Sequence, residues 1–336
     1  KLIKGGVVVR YIELDNEISN LNDGYNSWNC FINITAKQIK EIGNAAYDRL
    51  KFEYPYIMIS STTFSFPGIG AGHSGQIEKE IEKDKKTRNN FIKAYFEDTP
   101  KPKFDFLGLH ETVSGSGNPY TMWHKPANAG YEYNFGSYHD AYNIWRKILD
   151  RYGYRDKPIL NLESPVILKG KQSAEVIQKI VFARANASST KLMGIIISQL
   201  SGSRKFTEGR REEAISIGLA RLQDDLKLNE GYYGFYTVLN ILSNYPISEG
   251  KITGEIGSQR PWVEKFSNKG EKRLYVAFIP YQIGFNKPQT LTLRIGADKE
   301  AKLTRPDTST KIMKSNSDGF IIVTVDERPL FIEVRQ

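Results

Sequence analysis

"KPILNLES", residues 157–164, is a strand-length run that opens on Lys-Pro, continues through apolar positions and finishes on Glu163. Burying an unpartnered charge costs several kcal/mol, so a strand of this kind has to end in a polar cleft. Two other stretches have the same form. "VVVRYIELDNEIS" (7–19) starts β-branched and ends among Glu13, Asp15, Asn16 and Glu17, and "FDFLGLHET" (104–112) carries His110 near its end. "YIMISSTT" (56–63) and "KLMGIIISQL" (191–200) complete a set of five. Each strand is followed by a segment of helical period: 35–54, 87–98, 138–153, 173–187 and 231–245. In the first of these, Ile39, Ile42, Ala46 and Leu50 line one face and Thr35 is placed to cap the start; Gly153 is a stop for the third. Such alternation predicts parallel β/α units.

In a parallel β/α barrel the reacting groups sit at the carboxyl ends of the strands, where the loops open a cleft. Glu17, His110 and Glu163 are all expected at that rim. The segments after the second and third strands, 64–75 and 114–137, are long and rich in Gly, Ser and aromatics, which marks functional loops. After Pro246 the pattern changes to short alternating runs at 273–280, 289–295, 320–325 and 330–334, the signature of an antiparallel β-sandwich. The expected organisation is an α/β unit of TIM-barrel type over 1–245 and a sandwich over 246–336.

Composition narrows the function classes. The 336 residues are 40% hydrophobic, enough for a large core. Lys and Arg exceed Asp and Glu by nine, which raises a nucleic-acid partner. However, the densest run, "EKEIEKDKKTR" (78–88), carries both signs, as a solvated helix face does, so no nucleic acid is expected. No apolar stretch approaches the roughly 20 residues of a membrane span. Cys30 is the single cysteine; it excludes an internal disulfide framework and reads as a small buried side chain. His73, His124 and His139 lack metal-ligand spacing. Asn33-Ile-Thr and Asn186-Ala-Ser are glycosylation triplets of a kind that also arise by chance.

The segment "YIELDNE" resembles the Glu-x-x-Asn-Glu stretch on the fourth barrel strand of the clan A retaining glycoside hydrolases. "FDFLGLHET" resembles their sixth strand and "KPILNLES" their seventh; the sandwich after the barrel is similar to that of xylosidase-like members. The resemblance implies that Glu17 is the acid/base, Glu163 the nucleophile, and Asn16 the residue that hydrogen-bonds the sugar 2-hydroxyl, with His110 lining the subsite. It also implies that the chain supplies strands four to eight, leaving strands one to three to be provided. Three readings are open: a fragment of a longer protein, a second polypeptide contributing the missing units, or a degenerate barrel. The start at "KLIKGGVV", close to a buried strand, favours a cut or split chain.

Retaining chemistry needs two carboxyls about 5 to 5.5 Å apart, one ionised and one protonated at rest. It needs no metal or organic cofactor. Trp123 and Tyr131, in the long third loop, are candidates for stacking on sugar rings. Glu13 is expected to make a structural hydrogen bond beneath the site, and Trp145 and Trp262 to be core. The implied substrate is an oligo- or polysaccharide or glycoside, met outside the cell or at its surface, with the cytoplasm as the alternative. The rival reading is a non-catalytic carbohydrate-binding or structural surface protein built on a degenerate barrel.

Overall fold

The computed structural model describes residues 8–14, 35–66, 92–111, 138–165, 171–198, 201–202, 220–221, 228, 230–255, 258, 260–269, 272–280 and 287–335. Five apolar runs form one parallel ladder in chain order. Strand β1 (Tyr11–Ile12) pairs with β2 (Met58–Ile59), and a bridge from Ser60 to Phe106 carries the ladder onward. Beyond it, β3 (Phe64–Phe66), β4 (Leu107–Glu111), β5 (Ile159–Pro165) and β6 (Leu192–Ser198) pair in that order, all parallel. A short parallel pair, β7 (Ser201–Gly202) with β8 (Ala220–Arg221), follows. Among the described residues the ladder is open. The helices are α1 (Ala36–Glu53), α2 (Tyr138–Arg151), α3 (Gln172–Thr190) and α4 (Glu230–Leu242), with residues 92–97 also helical; no helix among the described residues is long and apolar enough to cross a membrane.

Local chemistry accounts for the ends of these helices. Thr35 and Gln38 form a capping box at the start of α1: the Thr35 hydroxyl accepts from the Gln38 amide, and the Gln38 side chain accepts from the Thr35 amide. Helix α2 stops as expected at Gly153, whose φ of +88° suits glycine. The buried face of α1 is rotated from the expected one, because Ile42 is exposed and Lys40 is buried beside Ile39. Lys40 can take a core position because its ammonium donates to the Ala94 and Asp98 carbonyls; desolvation lowers its pKa. Asn186, in the second triplet, lies within α3 with its amide donating to the Phe182 carbonyl.

One end of the ladder is built for stability. Asp105, just before β4, accepts from the Ile59 amide and the Tyr47 hydroxyl and pairs with Lys51 at 2.7 Å. Burial, followed by the Asp105 charge, pushes the Tyr47 hydroxyl up to about 12. An aromatic core lies between ladder and helices, with Phe64, Phe96, Phe106, Tyr142 and Trp145 all buried. Trp145 packs on Phe64 at 4.8 Å between centroids.

The remainder is antiparallel. Strands β9 (Ile247–Thr253), β10 (Trp262–Asn268), β11 (Lys272–Phe278), β13 (Glu300–Thr304), β14 (Thr310–Lys314) and β16 (Leu330–Val334) make a six-stranded sheet. Strands β12 (Gln289–Arg294) and β15 (Phe320–Val325) form a two-stranded partner. The central strands of the larger sheet are buried on both faces. Tyr275, Ala277 and Ile279 face the smaller sheet, while Leu274, Val276 and Phe278 join the core of the β/α region, as the two-residue period of a strand requires. Helix α3 is clamped against this sheet: Gln178 donates to the Ile279 and Glu327 carbonyls, and Lys171 pairs with Glu327. Strands β9, β10, β13 and β14 are not anticipated by the sequence. Their Lys, Glu and Ser content hides the apolar alternation, and in β10 the sheet buries Glu264 and Ser267 outright.

Glu264 carries a consequence for stability. It accepts from the Trp262 indole at 2.8 Å, and burial pushes its pKa up to about 7 against the partial opposition of that bond and Lys251. Its ordinary value is 4.5, so between these pH values the folded state holds a proton that the unfolded chain has released. Its protonation contribution is therefore full below pH 4.5 and is lost as pH rises through 7, a change on the order of 3 kcal/mol. Glu264→Gln is expected to flatten that pH dependence in denaturant unfolding measured at about pH 5 and about pH 8.

Candidate functional site

At the other end of the ladder, successive strands deliver polar residues to one place. Glu13 follows β1, Thr63 precedes β3, His110 lies in β4 and Glu163 in β5. The His110 Nε2 is 2.8 Å from Glu13 Oε1, and its Nδ1 is 3.2 Å from Glu163 Oε2. Both are close ion-pair approaches rather than straight N–H···O bonds. Thr63 donates its hydroxyl to Glu13 at 2.8 Å. The imidazole side chain is 4% exposed, against 30% for Glu13 and 38% for Glu163. A buried ring thus separates two carboxylates that reach solvent.

An irregularity in the pairing produces this arrangement. Leu109 is opposite Asn161, but the next residue, His110, is opposite Glu163. Toward β6, the step from Asn161 to Ser164 is matched by the shorter step from Ile195 to Ile197. Strand β5 therefore holds one extra residue, a bulge of the kind that re-aims side chains. Asn161 secures it: the side-chain oxygen accepts from the Glu163 amide, and its amide donates to the Tyr142 hydroxyl on α2. Beneath His110, Gly108 leaves the room that the bulge needs. A Cβ there would stand 3.0 Å from Leu162 Cδ1 and 3.2 Å from Thr63 Oγ1.

The run Ser60-Ser61-Thr62-Thr63, wholly buried, has a related role. Between Ser60 and Phe64 the second strand leaves the ladder, and backbone groups need other partners. The Ser60 hydroxyl accepts from the Leu14 amide, Ser61 from the Gly108 amide, and the Thr62 amide donates to the Tyr95 hydroxyl. Thr63 completes the series through Glu13. The sequence reading missed these residues as part of the site, although four consecutive hydroxyls closing an apolar strand are a visible signal.

His110 and Glu163 come together, and Glu13, expected to make a structural hydrogen bond, accepts one from the Thr63 hydroxyl beside the His110 ring. Glu17, Asn16, Trp123 and Tyr131 lie outside the described residues. Among the described residues no group of His, Cys, Asp and Glu has an arrangement that would hold a metal ion.

No family model matches the sequence, and no curated protein is similar to it. Solved structures do resemble the fold. A glucosidase from Croceicoccus marinus is 13% identical with a TM-score of 0.50, over 91% of this chain and 66% of that one. A family 44 xyloglucanase from Paenibacillus polymyxa, solved with xyloglucan, is 9% identical with a TM-score of 0.53, over 97% and 66%. The family 51 α-L-arabinofuranosidase from Thermotoga petrophila is 11% identical with a TM-score of 0.52, over 90% and 61%. The chain thus spans about two thirds or less of each of these structures. It is a mixed α/β protein with a fold like that of glycoside hydrolases.

Proposed function

We propose that the protein is a retaining glycoside hydrolase acting on an oligo- or polysaccharide or a glycoside, with residues 1–245 as the catalytic unit and 246–336 as an accessory sandwich. The observation that carries this reading is the buried His110 between Glu13 and Glu163 at the carboxyl ends of parallel strands. That end is where β/α enzymes do chemistry, and the glycosidase-like fold supports the class.

In this reading Glu163 attacks the anomeric carbon while Glu17 gives its proton to the departing glycosidic oxygen. A covalent glycosyl ester forms and the sugar–oxygen bond breaks. Glu17, now a carboxylate, takes a proton from water, whose oxygen displaces Glu163 and restores the starting anomeric configuration. Asn16 holds the 2-hydroxyl and Trp123 stacks on a ring. His110, expected at the sugar subsite, meets Glu163 through Nδ1 and acts by holding that carboxylate in the attacking position. Such orientation is worth large factors in rate.

Azide distinguishes the two roles. With an activated aryl glycoside, Glu163→Ala should be inactive until azide is added and should then yield a glycosyl azide of inverted configuration. Glu17→Ala should yield one of retained configuration. Substantial turnover by Glu163→Gln would remove the assignment, and sugar binding without turnover by the unaltered chain would favour the non-catalytic carbohydrate-binding reading. His110→Ala is expected to lower kcat by about 100-fold with a much smaller change in KM, since a misplaced nucleophile costs rate rather than binding.

A further inference from the structure

Glu163 stands on a face of β5 that a regular strand would not give it. Residues two apart in an extended chain share a face, so in an unbroken β5 Glu163 would point the same way as Asn161. That face is closed. Asn161 is opposite Leu109 and meets Tyr142 of α2, and all three are wholly buried. The extra residue turns Glu163 to the other face, where its Oε2 comes within 3.2 Å of His110 Nδ1. A shift of one residue exchanges the two faces of a strand, so the direction of Glu163 is decided by whatever holds the chain in its bulged path.

One hydrogen bond does this locally. The Glu163 amide donates to Asn161 Oδ1 at 3.2 Å, a bond between a side chain and the backbone two residues on, and bonds of that kind draw a chain away from its ladder. The other end of the Asn161 side chain is held from the helix layer, where Nδ2 donates to the Tyr142 hydroxyl at 2.9 Å. Tyr142 is fixed in turn, with its ring 5.7 Å from that of Phe182 on α3. A short side chain bonded at both ends has little freedom, and the backbone atom bonded to it has little more.

Packing alone does not ask for an amide at position 161. A buried residue facing Leu109 serves the core with an apolar side chain, and a buried hydrogen bond stabilises only modestly once desolvation is counted. What the amide supplies is the path of the backbone through Leu162 to Glu163.

We propose that Asn161 and Tyr142 are positioning residues for the Glu163 carboxylate: Asn161 sets the face on which it stands, and Tyr142 sets the Asn161 side chain. Both are wholly buried, so neither meets substrate. Their effect on turnover rests on the hydrolase reading, whereas their effect on the place of Glu163 does not.

The test exploits two side chains of one shape. Valine and threonine differ by a hydroxyl, which can accept from an amide two residues on as Asn161 does. Asn161→Val is expected to lower kcat on 4-nitrophenyl β-D-glucoside or β-D-xyloside by about 100-fold with KM changed by less than about threefold. Asn161→Thr should recover at least about tenfold of that loss, and Tyr142→Phe should lower kcat by about tenfold. Adding Asn161→Val to azide-rescued Glu163→Ala is expected to change the rescued rate by less than about twofold, because the residue acts through a carboxylate already removed. A general disturbance of the fold would lower both rates alike and overturn the proposal, as would equal kcat in the Val and Thr variants. Unfolding temperatures verify that each variant folds; if Asn161→Val does not, Tyr142→Phe carries the same cycle.

His110 reports the carboxylate without substrate. The chain has four histidines, so the His110 ring signals can be assigned in 15N-labelled protein. Asn161→Val is expected to move them as Glu163→Gln does, and Asn161→Thr to leave them near their native positions. Unmoved signals in a folded Asn161→Val chain would overturn the proposal. A chain that hydrolyses neither glycoside but shows the shift loses the hydrolase reading and keeps this placement of Glu163. Hydrolysis with unmoved signals does the reverse.

Discussion

One extra residue in β5 is the constraint around which the site is organised. In an unbroken ladder His110 would lie opposite Leu162, and Glu163 would be out of register with it. The insertion moves Glu163 alongside the imidazole, and the same displacement appears in the pairing to β6. A bulge breaks ladder bonds, so it persists only where other groups take them over. Here Asn161, wholly buried, does so with both ends of its side-chain amide. The tie runs through Tyr142 to α2, so the His110 end of the ladder and the helix layer hold each other in place.

Several buried polar groups of the β/α unit supply partners to backbone that the regular ladder leaves without them. The hydroxyls of Ser60, Ser61 and Thr63 and the Tyr95 phenol supply partners around the interruption in the second strand. Lys40 and Asp105 do similar work at the opposite end through the carbonyls and amides of neighbouring segments. Buried polar side chains are costly alone and specific when satisfied. Their distribution gives the unit one end devoted to structure and one where carboxylates reach solvent.

The two parts of the chain are joined through a sheet with two cores. Because alternate residues of β11 point to opposite faces, Leu274, Val276 and Phe278 belong to the β/α core while Tyr275 and Ala277 belong to the sandwich. Helix α3 lies against this junction with an almost continuous buried stretch from Gln172 to Lys179. Its Glu175 and Lys179, both wholly buried, pair at 3.3 Å. A helix enclosed on several sides has no polar face in the usual sense, which explains why its amphipathic signal is weak while its side-chain chemistry is mixed.

Much of this was legible in the sequence. The period-2 and period-3.6 runs marked five strands and their helices, Thr35 and Gly153 marked helix ends, and Trp145 and Trp262 read as core because large aromatics repay burial. His110 and Glu163 at strand ends indicated which end of the ladder is polar, since a charge at the end of an apolar run needs a cleft. The sequence did not reveal the bulge at Leu162, the rotation of α1 that buries Lys40 in place of Ile42, the hydroxyl relay, or the strands β9, β10, β13 and β14. All of these are decided by pairing between segments far apart in the chain. Local periodicity determines what an element is and which end is polar, whereas register and the partners of buried polar groups are set by long-range contacts that no single segment encodes.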